Sequence, residues 1–226
     1  MKRLSQENNF YYLCGALVAL LFSSAAAGQF PGSWGQDLFS LAIVLMLLLS
    51  IRSLRITPTL RRVTQGMALA LLLLTVVAHL RSSRFLDLLS LFLLFLFFAS
   101  ALRSAARLVL FVGRVDANKI VGSLSLYLLL GLLWTTLYLA LLVVDPDAFH
   151  GIAFNTWREA FPRLAYYSFV TLTTLGYGDI LPASRLAEFF AYMEAVTGIF
   201  YIAIVVASLV SVALREMPPP SRGRKR

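Results

Sequence analysis

Six stretches of this chain are more apolar than any soluble surface tolerates, and they restrict what it can fold into. Five of them, residues 10–27, 63–80, 85–102, 120–144 and 189–214, have the length needed to cross a hydrocarbon core. The sixth, 38–51, is shorter, but Arg52 and Arg55 can snorkel and let its helix continue to about Ile56. In lipid every backbone N–H and C=O must be satisfied inside the segment, so continuous runs of this kind demand helices. The period-two alternation of a β-barrel is absent. The chain is 59% hydrophobic and 14% charged, whereas soluble domains run near a quarter charged. The expectation is an all-α integral membrane protein with six transmembrane helices.

The charges between the runs set an expected orientation. With the N-terminus inside, fifteen of the 20 Lys and Arg fall on the cytoplasmic side and five outside, namely Arg81, Arg84, Arg158, Arg163 and Arg185. That excess follows the positive-inside rule and predicts a multi-pass protein of a cell (inner) membrane with both termini cytoplasmic. It also explains the net charge of +9 without nucleic acid as a partner. Residues 1–28 share the charged start, apolar middle and small-residue end of a cleavable signal peptide. A retained first span is expected instead, because the polar start is long and other spans follow.

Enzyme chemistry finds no footing. Cys14 is the one cysteine, and His79 and His150 lie far apart, so no metal cluster is expected. No H-E-x-x-H helix, Walker loop, dinucleotide fingerprint or nucleophile–base pair occurs.

The segment between the last two runs is too short to cross the bilayer and holds Thr173-Thr174-Leu175-Gly176-Tyr177-Gly178-Asp179. Six fixed residue types at this spacing match by chance on the order of 10⁻⁸ per starting position. Gly176 and Gly178 sit two apart, where a backbone that turns every carbonyl to one side needs left-handed dihedrals. Carbonyls so arranged can replace the hydration shell of a cation. Before them, residues 162–173 read as a short re-entrant helix of about 18 Å, with Pro162 at its first position. Its C-terminal dipole would favour a cation near the membrane centre.

This stretch resembles the selectivity filter of the tetrameric potassium channels of the voltage-gated-like superfamily, in a compact six-span subunit of prokaryotic type. The likeness is closest over 161–182, extends to the runs on either side, and is architectural for 1–119. It implies that K⁺ binds at the carbonyls of Thr174, Leu175, Gly176, Tyr177 and Gly178, with the Thr174 hydroxyl at the inner end. Asp179 would stand at the outer mouth, and the Tyr177 ring would point into the scaffold. Thr173, Tyr166 and Tyr167 would support the filter, the two tyrosines standing where relatives often place tryptophan. Val170 replaces a glutamate found behind the filter in some relatives. One filter per chain implies a homotetramer, with permeant K⁺ and no cofactor. The implied domains are 1–119, a four-helix unit in the voltage-sensor position; 120–216, the pore; and 217–226, a basic cytoplasmic tail.

Control of such a pore is less legible. The run 85–102 carries no arginine, and Arg103, Arg107 and Arg114 follow it near the inner face, so they read as anchors and voltage gating is not expected. The residues after Leu214 are too few for a nucleotide-binding or ion-sensing domain, although Arg222, Arg224, Lys225 and Arg226 could touch anionic lipids. Glu194 is the one acid inside the last run; it is either a functional intramembrane group or a hydrogen-bonding support behind the filter. Gly198 is either the inner-helix hinge of the family or a close-packing residue. Val206, Leu209 and Val210 are candidates for an apolar constriction. The alternatives are a secondary transporter or auxiliary membrane subunit, or a poorly selective cation channel. Against a transporter, the interrupted hairpin occurs once, without the paired repeat that transporters show.

Overall fold

The computed structural model describes residues 9–27, 41–43, 45–46, 58–80, 83–111 and 117–207. Within them run α1 (Asn9–Ala27), α2 (Pro58–Leu80), α3 (Arg84–Phe111), α4 (Ala117–Val144), α5 (Trp157–Leu172) and α6 (Arg185–Phe200). A π-helical stretch, Tyr201–Val206, continues α6. Among the described residues four helices are long and apolar enough to cross a membrane: Phe10–Ala27, Arg84–Val109, Ala117–Val144 and Arg185–Ile204. The protein is therefore an all-α, multi-pass membrane protein with four candidate spans. The run 38–51 lies largely outside the described residues, and the apolar part of α2 is the shorter Gln65–Leu74.

The helix bounds follow local chemistry. Pro58 opens α2 at a position where its missing N–H costs nothing. Helix α3 runs on to Phe111, past the apolar stretch 85–102, because Ala101, Leu102, Arg103, Ala105, Ala106 and Arg107 are all strong helix formers.

Helix α4 is the scaffold's centre, packed against α1, α3 and α5. Its buried face includes Leu126, Leu129, Leu132, Tyr138, Leu139 and Leu142. At its start, Asn118 Oδ1 accepts a 3.1 Å hydrogen bond from the Phe10 N–H, which puts the first turns of α1 and α4 side by side. In its middle, Gly131 lets α5 come close: a Cβ there would fall 2.6 Å from the Phe169 ring.

On either side of α5 in the sequence, β1 (Phe149–His150) pairs antiparallel with β2 (Leu181–Pro182), Phe149 opposite Pro182 and His150 opposite Leu181. This two-residue ladder returns the chain after residue 179 to the base of α4, and Ala183 N–H adds a 2.8 Å bond to the Ala148 carbonyl. Helix α5 and the loop 173–180 are thus held from both ends.

Candidate functional site: the re-entrant helix and its loop

Helix α5 begins at Trp157, five residues before the start expected at Pro162. The cause is a capping box spelled Thr156-Trp157-Arg158-Glu159. Thr156 has extended backbone, and its hydroxyl accepts from the Glu159 N–H at 3.3 Å. Asn155 Nδ2 holds the Glu159 carboxylate at 3.1 Å. Pro162 therefore sits inside the helix and leaves the Arg158 carbonyl without its helical donor. With 16 residues the helix is about 24 Å long, still short of a full crossing.

The first turn of α5 also meets α3. The Arg158 guanidinium lies 4.6 Å from the centre of the Trp157 ring. Burial pulls that guanidinium below its ordinary pKa, and the nearby Asp87 of α3 opposes the shift. The sequence holds no local sign of this influence, since Asp87 and Arg158 come near each other only in the fold.

After Leu172 the backbone changes hand at every second residue. Thr174 has φ +58°, Gly176 φ +60° and Gly178 φ +80°. Thr174 is the lone non-glycine in the left-handed region among the described residues, a placement that costs roughly 1–3 kcal/mol and persists where surrounding structure enforces it. Here that structure is a tight helix exit: Thr174 N–H bonds Thr171 O at 2.9 Å and Leu175 N–H bonds Val170 O at 2.9 Å. Such alternation is the one the glycine spacing predicts, and it is able to turn successive carbonyls to one side.

The supporting side chains divide into two sets. Tyr166 stacks on Tyr177, with rings 6.3 Å apart and 6° from parallel, and its hydroxyl donates to Asp179 Oδ1 at 3.0 Å. Arg163 stands 3.8 Å from Asp179 Oδ2 and also donates to the Gly151 carbonyl at 3.2 Å. Tyr167 turns the other way, into an aromatic cluster with Tyr138 and Phe149 at 5.1 and 5.4 Å. Tyr166 therefore touches the loop directly, while Tyr167 fastens α5 to α4. Thr173 bonds back to the Phe169 carbonyl at 2.7 Å.

Phenylalanine at 166 removes only the bond to Asp179 and keeps the ring stack. Amide hydrogen exchange at residues 176–179 is expected to be several-fold faster in Tyr166→Phe than in wild type. Equal exchange would show that the bond does not hold the loop.

Glu194 and Gly198 of α6 both face α5 and are buried. Glu194 Oε2 accepts from the Tyr138 hydroxyl at 2.6 Å, and Oε1 lies 2.5 Å from Ser168 Oγ. Gly198 is pressed against the last turn of α5, where an added Cβ would lie 2.0 Å from the Leu172 carbonyl oxygen. That same carbonyl accepts from the Tyr127 hydroxyl at 3.1 Å. One turn on, Tyr201 donates to the Ser123 carbonyl and packs its ring on Tyr127 at 5.1 Å. Of the constriction candidates, Val206 ends the π-helical stretch, while Leu209 and Val210 lie outside the described residues, as do Arg222, Arg224, Lys225 and Arg226.

Ser168, Tyr138, Tyr127, Arg163 and Gly151 thus join the site without having been singled out in the sequence. Their partners lie 12 to 56 positions away, and no local pattern announces them. Thr156 and Glu159 were readable as a T-x-x-E signature.

Comparison with known proteins bears on this region. Residues 126–215 match the family model described as ion channel. The A-type voltage-gated potassium channel KCND3 of Rattus norvegicus, and its counterparts from Oryctolagus cuniculus and Homo sapiens, are each 29% identical over 99 residues. That alignment covers 43% of this chain and 15% of each relative. No solved structure matches the chain. Residues 126–215 are thus similar to an ion-channel domain, and the chain spans about 15% of the length of the channels it matches.

Proposed function

We propose that the chain is the subunit of a potassium-selective channel, conducting K⁺ passively through a homotetrameric pore. The observation that carries this is the alternate-residue left-handed backbone at Thr174, Gly176 and Gly178, within T-T-L-G-Y-G-D. Five carbonyls and the Thr174 hydroxyl then form a file of oxygen rings once four copies surround one axis. Support for assembly comes from the loop's own surroundings. Leu175 and Tyr177 are 55% and 66% exposed in the single chain, and nothing lies within 4 Å of a Cβ built on Gly176 or Gly178. A loop that leaves these side chains and glycine faces open gains walls from neighbouring copies. Asp179 sits at the outer mouth, where its carboxylate concentrates cations.

In this reading the chain crosses an inner membrane six times with both ends inside. The contact of Phe10 with Asn118 is consistent with that count, as it is with two crossings by α1 and α3 alone, because it puts the starts of α1 and α4 on one face. An even number of crossings must separate them. With α1 and α3 as two of these, α2 and the run 38–51 supply the other pair. Residues 1–119 form the peripheral unit, 120–216 the pore, and 217–226 a basic tail that touches anionic lipid. Val206, Leu209 and Val210 form the inner constriction. Arg103 and Arg107 lie exposed in the last part of α3, where they anchor the helix and sense no field.

Protein reconstituted in liposomes tests the proposal. Barium-sensitive K⁺ flux far above Na⁺ flux, without energy source or counter-substrate and with open probability flat across voltage, is expected. Equal K⁺ and Na⁺ rates would refute selectivity; a requirement for a counter-substrate would indicate a transporter; and steep voltage dependence would overturn the reading of Arg103 and Arg107.

A further inference from the structure

The carboxyl of Glu194 is the most deeply buried acid described, at 0% exposure, and it lies where α4, α5 and α6 meet. Its partners are hydroxyls. Among the described residues no Lys, Arg or His forms an ion pair with it. The titratable groups facing it are phenols, Tyr138 and Tyr127 from α4 and Tyr167 from α5.

Counting hydrogens identifies the form that fits. Tyr138 spends its one hydroxyl hydrogen on Glu194 Oε2 at 2.6 Å. Ser168 also has one, yet its Oγ lies 2.8 Å from the Gly131 carbonyl and 2.5 Å from Glu194 Oε1. A single hydrogen cannot serve both acceptors. If Glu194 were ionised, either the Gly131 or the Glu194 contact would be a bare oxygen–oxygen approach. A negative charge would also be buried with no cation beside it. If Glu194 carries a proton on Oε1, every contact is a hydrogen bond: Glu194 donates to Ser168, Ser168 donates to Gly131, and Tyr138 donates to Glu194.

We propose that Glu194 is held as a neutral carboxylic acid, and that its proton completes a hydrogen-bonded clamp binding α6 to α5 and α4 behind the loop 174–179. Glu194 is then a positioning residue, acting on ion passage through α5 and not by touching the ion. Ser168 lies four residues before Leu172, whose carbonyl meets Gly198, so the clamp and that packing point lie one turn apart on the same seam. Removing the proton breaks one bond of the chain and leaves a charge in the seam, so the conducting arrangement is lost as pH rises. The inference rests on the channel reading for its effect on flux, but not for the protonation state itself.

Infrared spectroscopy of the purified full chain reads that state directly. At neutral pH a protonated-carboxyl C=O band should be present in wild type, absent in Glu194→Gln, and displaced in Ser168→Ala, where the acid loses its acceptor. In liposomes Glu194→Ala, which strands two buried hydroxyls, should lower K⁺ flux about tenfold or more. Glu194→Gln should recover most of that flux, since a neutral amide can donate to Ser168 and accept from Tyr138. Wild-type flux should fall on the alkaline side, while Glu194→Gln should stay flat there. Absence of the infrared band, or a glutamine variant as impaired as the alanine one, would overturn the proposal. Wild-type liposomes without K⁺ flux would instead sink the channel reading and leave the infrared result standing.

Discussion

Alanine at position 178 is expected to yield a folded, assembled membrane protein that no longer distinguishes potassium from sodium. Gly178 has φ +80°, and no atom lies within 4 Å of where its Cβ would stand. The substitution therefore meets no steric wall within the chain, and its whole effect is conformational. Holding an L-residue left-handed costs roughly 1–2 kcal/mol, and a four-fold ring incurs that cost four times. The cheapest relief is rotation of the local peptide, which takes its carbonyl off the ion path. Stability should change little, because the residue contributes nothing to the core. Thermal unfolding and elution volume in detergent should match wild type, while the K⁺ to Na⁺ flux ratio in liposomes should approach one. An unchanged ratio would refute the assignment of Gly178 to the filter. Thr174 carries a similar strain already, at φ +58°. That the chain tolerates it there, with a side chain, argues that the hydroxyl is wanted at that level.

Gly198→Ala should do the opposite damage. Here φ is ordinary and space is the limit, with a new Cβ 2.0 Å from the Leu172 carbonyl oxygen and 3.0 Å from its carbon. Both are backbone atoms at the end of α5 and cannot rotate aside. Either α6 moves away, opening the Glu194 clamp one turn above, or the exit of α5 shifts and carries the loop with it. Overpacking of this kind costs about 3 kcal/mol. The variant should unfold at clearly lower temperature and lose most flux. A hinge role alone makes a different forecast: alanine would leave melting temperature unchanged and alter only open probability. A variant of wild-type stability would therefore remove the packing account. Beyond Gly198 the backbone is π-helical from Tyr201 to Val206, a place where helices commonly bend.

How much of this was legible in the sequence depends on how far apart the interacting residues are. The apolar runs marked α1 and α4 closely, because bilayer thickness sets the length a span needs, whereas the last helix starts at Arg185, four residues before its run. The loop 173–179 could be read residue by residue, because glycine spacing is a local record of backbone handedness. Helix α5 starts five residues before Pro162, because the Thr156 cap with Glu159 fixes the first turn.

The chain's order alone determined the all-α membrane class and the alternation of backbone handedness at Thr174, Gly176 and Gly178. These rest on period, length and dihedral preference, all properties of neighbours along the chain. The tertiary structure alone supplied the surroundings of the two open residues of the last helix. Glu194 proved to be bonded to Tyr138 and Ser168, 56 and 26 positions away, and Gly198 to be pressed on Leu172. The tertiary structure also separated Tyr166, which holds the loop, from its neighbour Tyr167, which holds the scaffold. Adjacent residues on a helix point about 100° apart, and only the packing around them says which direction faces the loop.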